Sequence, residues 1–338
     1  PEISNSIEVG LDWRMFKQRF GLDLAFYNNI TRNQILDVPM DQTTGYTKAT
    51  MNSGKVRNRG IELQLDGTPV KTKNFTWNST FTWAKNYNKV LSLAAGLTDG
   101  QTIAYTGGTN CALIAKVGGS IGDIYGYKLK RAADGQVVWK DGITARTTEF
   151  EYVGNAYPAW KAGFSNEFSY KNFRVSILFD GQWGGIVYSQ THHKMTEHGT
   201  LKHTLKYREN PNFEVVGEGV MLDERGQYVP NNVPISVSKY YADYWRRANV
   251  ETNSFDASFL KLREARIEYT IPSAGLNKIG IERLTLALYG RNLAMWTKDF
   301  PVYDPEVATL NNGTIVPGSE MGQLPSTRTM GFNLTLKF

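Results

Sequence analysis

All four histidines of the chain fall in one tract, "HHKMTEHGTLKH", from His192 to His203. His192, His193, His198 and His203 are the residue type that ligates zinc or copper. No cysteine stands nearby, and no pair has the i, i+4 spacing of a helical metal-binding turn. The tract therefore reads as a solvated polar stretch of a long loop, with metal binding as the alternative, and no metal or other cofactor is expected. Asp304 and Glu306 in "DPE" raise a second possibility. Glycoside hydrolysis needs two carboxylates about 5–10 Å apart, one with a raised pKa. Pro305 between them is expected to splay the pair, so an enzyme is not expected. There is no G-x-S-x-G and no Walker A motif, and "GGSIG" (Gly118–Gly122) lacks a helix start after it, which argues against phosphate binding. A single cysteine, Cys111, rules out an internal disulfide framework.

Aromatic rings are the remaining candidates. Trp139 in "QVVWK" and Tyr240, Tyr241, Tyr244 and Trp245 in "KYYADYWRR" lie far from any regular strand pattern. Rings of this kind stack against sugars, so these five are the candidate substrate contacts. The competing reading is that they pack long loops against one another. Arg246 and Arg247 beside them could meet an acidic partner or substrate, or solvate the loop.

The elements that carry these residues set their context. The 338 residues are 41% hydrophobic, with a mean hydropathy of −0.39 and a net charge of +6. No run of eighteen apolar residues exists, which excludes a transmembrane helix but not a transmembrane β-strand. The basic excess is spread without a Lys/Arg block, so nucleic acid is not an expected partner.

Period-two alternation recurs nine times. Ile7, Val9, Leu11 and Trp13 oppose Glu8, Gly10, Asp12 and Arg14, and the pattern repeats over Arg19–Tyr27, Gly60–Asp66, Phe75–Trp83, Lys161–Tyr170, Phe173–Asp180, Arg263–Ile271 and Arg283–Gly290. The last stretch, Thr327–Phe338, sets Met330, Phe332, Leu334, Leu336 and Phe338 against Thr329, Gly331, Asn333, Thr335 and Lys337. Leu260 and Leu262 break parity with Ala265 and Ile267, which predicts a β-bulge near Arg263.

The connections alternate without exception. Met15–Gln18, Gly67–Lys73, Lys171–Asn172 and Pro272–Glu282 are short or moderate; Asn28–Arg57, Tyr87–Trp160, Gly181–Asp256 and Leu293–Ser326 are long. A soluble sandwich has no reason to sort its loops this way. A transmembrane barrel has short turns on the periplasmic side and long loops outside. Glu8, Asp12, Asp23, Glu62, Asp66, Glu167, Arg174, Arg266 and Glu268 would then face the lumen. Trp13, Tyr27, Trp83, Trp160, Trp183 and Trp296 are expected to form interfacial girdles. The fold class is all-β, an antiparallel transmembrane barrel segment, and the open edges of nine strands require further strands from sequence outside these residues.

Five ordered motifs carry a resemblance. "GKVRNRGIELQL" (Gly54–Leu65), "VGNAYPAWKAGFSNEFSYKNFRVSILFDGQWGG" (Val153–Gly185), "DASFLKLREARIEYTIP" (Asp256–Pro272), "YGRNLAMWTK" (Tyr289–Lys298) and "YDPEV" (Tyr303–Val307) resemble the C-terminal part of a SusC/RagA-type TonB-dependent outer-membrane transporter. The resemblance implies a barrel of about 22 strands closed by an N-terminal plug, with residues 1–338 as its C-terminal part. It further implies uptake of oligosaccharides or peptides driven through TonB, a SusD-like surface lipoprotein as lid, outer-membrane lipid around the barrel, and no covalent chemistry on the substrate. Long loops would lie outside and the C-terminus in the periplasm. On the last strand, Phe332, Leu334, Leu336 and Phe338 resemble the terminal signal read by the barrel assembly machinery. A siderophore receptor, a porin and a secreted carbohydrate-binding β protein are the alternative classes.

Overall fold

The computed structural model describes residues 1–338 except 40–42, 44, 46–47, 53, 94–99, 107, 273–279, 307 and 312–313. Nine long strands form one sheet whose spatial order is the chain order. They are β1 (Ile3–Met15), β2 (Phe20–Arg32), β3 (Lys55–Lys71), β4 (Phe75–Ser92), β5 (Trp160–Tyr170), β6 (Phe173–Trp183), β7 (Phe259–Ile271), β8 (Arg283–Thr297) and β9 (Thr329–Lys337). Every neighbouring pair is antiparallel. Only β2 pairs with β1 and only β8 pairs with β9 among the described residues, so the sheet has two free edges.

Register sorts the two faces. Leu11, Leu24, Leu63, Trp83 and Ala162 lie in one cross-strand row, and the adjacent row holds Asp12, Asp23, Gln64, Thr82 and Gly163. The apolar face is left uncovered: Ile7 is 71% exposed, Leu288 63% and Phe332 78%. A face this apolar and this open is stable against lipid rather than water. None of the helices among the described residues is long and apolar enough to cross a membrane, so the strands alone carry this character.

The expected bulge sits at Arg263. Glu264 pairs with Leu178 and Leu262 with Phe179, leaving Arg263 unopposed. The extra residue turns Lys261, Arg263, Glu264 and Arg266 all toward the polar face while Leu262 and Ala265 keep facing out.

Two expectations needed correction here. The strands run past their apolar pattern, β3 starting at Lys55 and β4 ending at Ser92. Beyond the apolar belt an outward residue no longer has to be hydrophobic, so the alternation fades while the hydrogen-bonded ladder continues. Tyr27 does not belong to a girdle. It has the parity of Glu8 and Gly60, its ring covers Gly60, and its hydroxyl lies 3.1 Å from Asn86 Oδ1 on the polar face.

Most of the buried hydrophobic core lies in the long connections, and the sheet contributes mainly Val56 and Val90 at the loop ends of β3 and β4. Strands Gln101–Thr106, Cys111–Ala115, Asp123–Gly126 and Glu151–Asn155 make a sheet within one connection. Others cross between connections: Val138–Lys140 pairs in parallel with Val220–Leu222, and Ile186–Ser189, paired within its own connection with Ser254–Asp256, also pairs with Ser319–Glu320 of the next. Two short helices, α1 (Gln190–Glu197) and α2 (Val237–Tyr244), complete this cap, each N-capped by a serine hydroxyl, Ser189 and Ser236.

Candidate functional site

The polar face of the sheet is a wall of charges satisfied by one another. Arg14 sits 2.8 Å from both Asp12 and Asp23, Arg266 lies 3.0 Å from Glu268, and Arg291 lies 2.9 Å from Glu264. Gln64 and Thr80 each donate to Asp66 at 2.8 Å. A concavity of about 750 Å³ runs along this wall, and Asp12, Asp23, Glu62, Lys161, Asp180 and Glu306 line it. All nine residues expected to face the interior lie on this face by register.

Asp304 and Glu306 reach the same wall from the connection between β8 and β9. Asp304 Oδ1 accepts from Lys261 Nζ at 2.7 Å and from the Glu306 amide at 3.0 Å. Glu306 also contacts Lys261, and it accepts from Arg263 Nη2 at 2.5 Å; Arg263 in turn grips Asp180. Pro305 therefore does not splay the two carboxylates; both converge on Lys261. Burial opposes the ionised Asp304, but the Lys261 ammonium and the backbone donor outweigh it, holding its pKa below the usual carboxylate value. A carboxyl held ionised in this way is unsuited to general-acid glycoside chemistry. It clamps the loop to the strands instead.

The five aromatic candidates come together. Trp139 stacks on Tyr240 and Tyr244, each at 6.1 Å, while Trp245 lies 5.5 Å from Tyr241 and 4.6 Å from Tyr244. Trp139 is 1% exposed, its indole donating to Glu218 O at 3.0 Å, and Tyr241 is buried with its hydroxyl donating to His203 O and Lys206 O. Tyr240, Tyr244 and Trp245 keep part of their surface open. Burial raises the pKa of Tyr240 and Tyr244, keeping both phenols neutral.

The histidine tract is not a solvated loop. His192 and His193 are buried on α1, and His203 stacks on His192 at 5.3 Å. His192 Nδ1 is 2.9 Å from Asn253 Oδ1, and His193 Nδ1 is 2.8 Å from Trp245 O. Both partners are acceptors, since the Asn253 amide nitrogen already donates to Trp245 O and Asn249 O, so each Nδ1 carries the proton. Burial lowers the pKa of His192 to about 4 and also lowers those of His193 and His203. No group of three or more potential ligands able to hold a metal occurs among the described residues.

Glu320 was not a candidate in the sequence, yet it joins two connections. It is fully buried and accepts from Ser189, Thr191 and Tyr303 hydroxyls at 2.5, 2.5 and 2.6 Å and from the Gly322 amide at 2.7 Å. Burial together with this carboxylate raises the Tyr303 pKa to about 12. The serine of an α-helix N-cap followed by a threonine was the only hint, and nothing local pointed to an acid from 130 residues away. Lys261 and Arg263 were equally hidden, because a lysine in a strand carries no mark of being buried.

Comparison with known proteins accounts for this architecture. The family model described as TonB dependent receptor-like, beta-barrel matches residues 1–293. A TonB-dependent receptor of Formosa agariphila is 29% identical over the whole of this chain, which covers 34% of that protein. TonB-dependent receptor SusC of Bacteroides thetaiotaomicron is 24% identical over 55% of this chain and 20% of its own length. The solved RagAB peptide importer in its closed-closed state superposes with a TM-score of 0.71 at 20% identity, covering all of this chain and 35% of that one, a likeness of fold. The chain thus spans about a third of the length of the relatives that cover all of it. With an apolar outward face, an ion-paired inner wall and a family match over most of its length, this chain belongs to the TonB-dependent receptor-like β-barrel family of the bacterial outer membrane.

Proposed function

We propose that the nine strands are a sector of the barrel of a SusC-like importer that takes up oligosaccharides or peptides across the outer membrane. The observation that carries the reading is the division of the sheet. The outward face is apolar and bare, the inner face is polar and ion-paired, and short and long connections alternate. Such a division suits a wall between lipid and a polar lumen. In this reading short turns are periplasmic and long connections extracellular. A plug from a different part of the full protein fills the lumen, and TonB supplies the energy. The free edges β1 and β9 then pair with further strands. Phe332, Leu334, Leu336 and Phe338 face lipid and are the surface offered to the assembly machinery.

A SusD-like surface lipoprotein would close over the cap, where Tyr240, Tyr244 and Trp245 offer ring surface to substrate or lid. Trp139 and Tyr241 stand behind them as supports. The peptide importer among the structural neighbours favours peptides, while the similar SusC favours neither choice by name alone. The test is the intact mass of the natural protein extracted from outer membranes in detergent. A chain about three times this one, travelling with a second, lipidated polypeptide, supports the importer. A soluble protein of 38.0 kDa would end the reading.

A further inference from the structure

The outward face of the sheet carries charge in only one place. On β1, β5, β6, β7, β8 and β9 every described strand residue of the outward rows is uncharged, from Ile7 and Trp13 to Trp183, Trp296 and Phe332. The exceptions lie at the loop ends of β2, β3 and β4. There Arg57 faces Lys89, Arg59 faces Tyr87, and Lys85 faces Ile61, with Arg32 on β2 and Lys55 on β3 paired beyond them. Arg59 and Lys85 both lie over the Tyr87 ring, at 5.7 and 4.8 Å, which places them on one surface. Lys85 shares a row with Phe26 and Ile61, the last apolar residues of β2 and β3 before the charges begin, and Arg59 stands one row above it.

Arg57, Arg59, Lys85 and Lys89 form no ion pair with any acid among the described residues, and the outward rows of β1 to β6 contain no acid. Like charges opposed across a strand pair are unfavourable unless an anion sits between them. The inner wall of this same sheet matches nearly every Arg with a carboxylate, so among the described residues the lack of partners is specific to this patch. Adjacent strands stand about 4.8 Å apart and same-face residues about 7 Å apart. Two neighbouring cations can therefore grip one phosphate.

We propose that Arg57, Arg59, Lys85 and Lys89 form a docking site for the phosphate-bearing headgroup of a membrane lipid, held where the apolar belt gives way to the loop end of the barrel. The acyl chains would lie on Ile61, Leu63 and Trp83 below, and Tyr87 would pack against the headgroup between its cations. The site rests on the barrel reading. None of its residues lines the polar face, so it is separate from the transport path.

The test uses the full natural protein purified from outer membranes, alongside a variant carrying R57Q, R59Q, K85Q and K89Q and a milder one carrying only R59Q and K85Q. Heat-modifiable mobility confirms that each variant is a folded barrel. Bound lipid phosphorus is then counted per barrel, and thermal stability is measured with added diphosphoryl glycolipid, with the same lipid dephosphorylated, and with inorganic phosphate. The expected result is lipid retention by the natural protein and a drop of at least about tenfold in the fourfold variant, with stabilisation by the phosphorylated lipid alone. Equal retention by the folded variants would overturn the site, as would equal stabilisation by the dephosphorylated lipid or by inorganic phosphate. A protein that stays soluble without detergent would overturn the barrel reading itself, before any lipid is compared.

Discussion

Lys261 Nζ lies 2.7 Å from Asp304 Oδ1, and the two side chains are only 3% and 5% exposed. One belongs to a barrel strand and the other to the connection between β8 and β9, so this buried ion pair, with Glu306 on Lys261 and Arg263 beside it, ties the cap to the wall. Removing one partner strands the other charge in a dry site, which costs about 3 kcal/mol or more. Lys261→Met should free the 298–328 connection, seen as faster hydrogen exchange there with the sheet unchanged. Adding Asp304→Asn to it should restore much of the protection. A double variant as exposed as the single one would show that the pair is incidental. The same clamp has a pH signature. Asp304 titrates in the fold below its usual value, so its contribution is complete above that value and is lost as pH falls through the lower folded pKa.

His192 gives a second pH dependence at a different place. Its folded pKa is lowered to about 4 because it is buried beside His203 and Phe255. An unfolded histidine titrates near 6.5, so between about pH 6.5 and 4 the opened segment binds a proton that the closed one does not. The cap around α1 is then most stable above about pH 6.5 and loses about 3 kcal/mol as pH falls toward 4. Intrinsic-rate-corrected hydrogen exchange over α1 and Glu251–Asn253 should rise across that window, and His192→Gln should flatten the rise. A flat profile in the natural protein would count against a neutral, buried His192.

The period of the strands was legible because the membrane imposes it on each residue separately. Leu63 must face lipid and Gln64 the lumen, and each choice shows in the residue type. Even the bulge at Arg263 could be read, as a change of parity. The cap was not legible, because its contacts join residues far apart in the chain. Thr144 is held by Asp243, Glu320 by Ser189, and Val250 N reaches Tyr127 O. Histidines and a lysine that read as solvated by type are buried by such partners. The five aromatic residues were recognisable as a set, but nothing in their spacing separates supporting rings from exposed ones.

Neighbouring residues on β3 test the two faces directly. Leu63→Arg would put a cation among Leu24 and Trp83 on the outward face, at a cost of about 2–4 kcal/mol near the middle of the bilayer. Gln64→Arg on the inner face meets Glu62 and Asp66 as same-face neighbours and should cost less than about 1 kcal/mol. Reversible unfolding of the barrel in lipid, compared for the two variants, checks the assignment. Equal costs would mean that the sheet has no lipid side.

Gly60 is required by what covers it. A Cβ there would lie 2.5 Å from both Tyr27 Oη and the Lys85 carbonyl oxygen. The backbone oxygen cannot move without breaking the β3–β4 ladder, so Gly60→Ala should cost about 1–3 kcal/mol. Tyr27→Phe should cost less, because the ring that shields the glycine remains and only the contact with Asn86 is lost. Tyr27→Ala, which opens the space, should rescue part of the Gly60→Ala defect. Additive losses would argue that the ring and the glycine are independent.

Trp139 and Trp245 separate support from contact. Trp139 is enclosed by Tyr240, Tyr244 and the Glu218 carbonyl, and the Gly217 backbone lies so close that a Cβ there would fall 2.2 Å from the indole. Trp139→Ala should therefore loosen the whole cap, by about 3–5 kcal/mol locally, and lower uptake only as a consequence. Trp245→Ala removes a half-open ring whose backbone carbonyl still holds His193 and Asn253, so the cap should stay folded. If Trp245 meets substrate or lid, uptake in the full protein should fall while hydrogen exchange of α2 stays unchanged. If uptake falls only in variants that also lose protection, all five rings are supports, and the contact surface must be sought along the concavity lined by Asp12, Glu62 and Lys161.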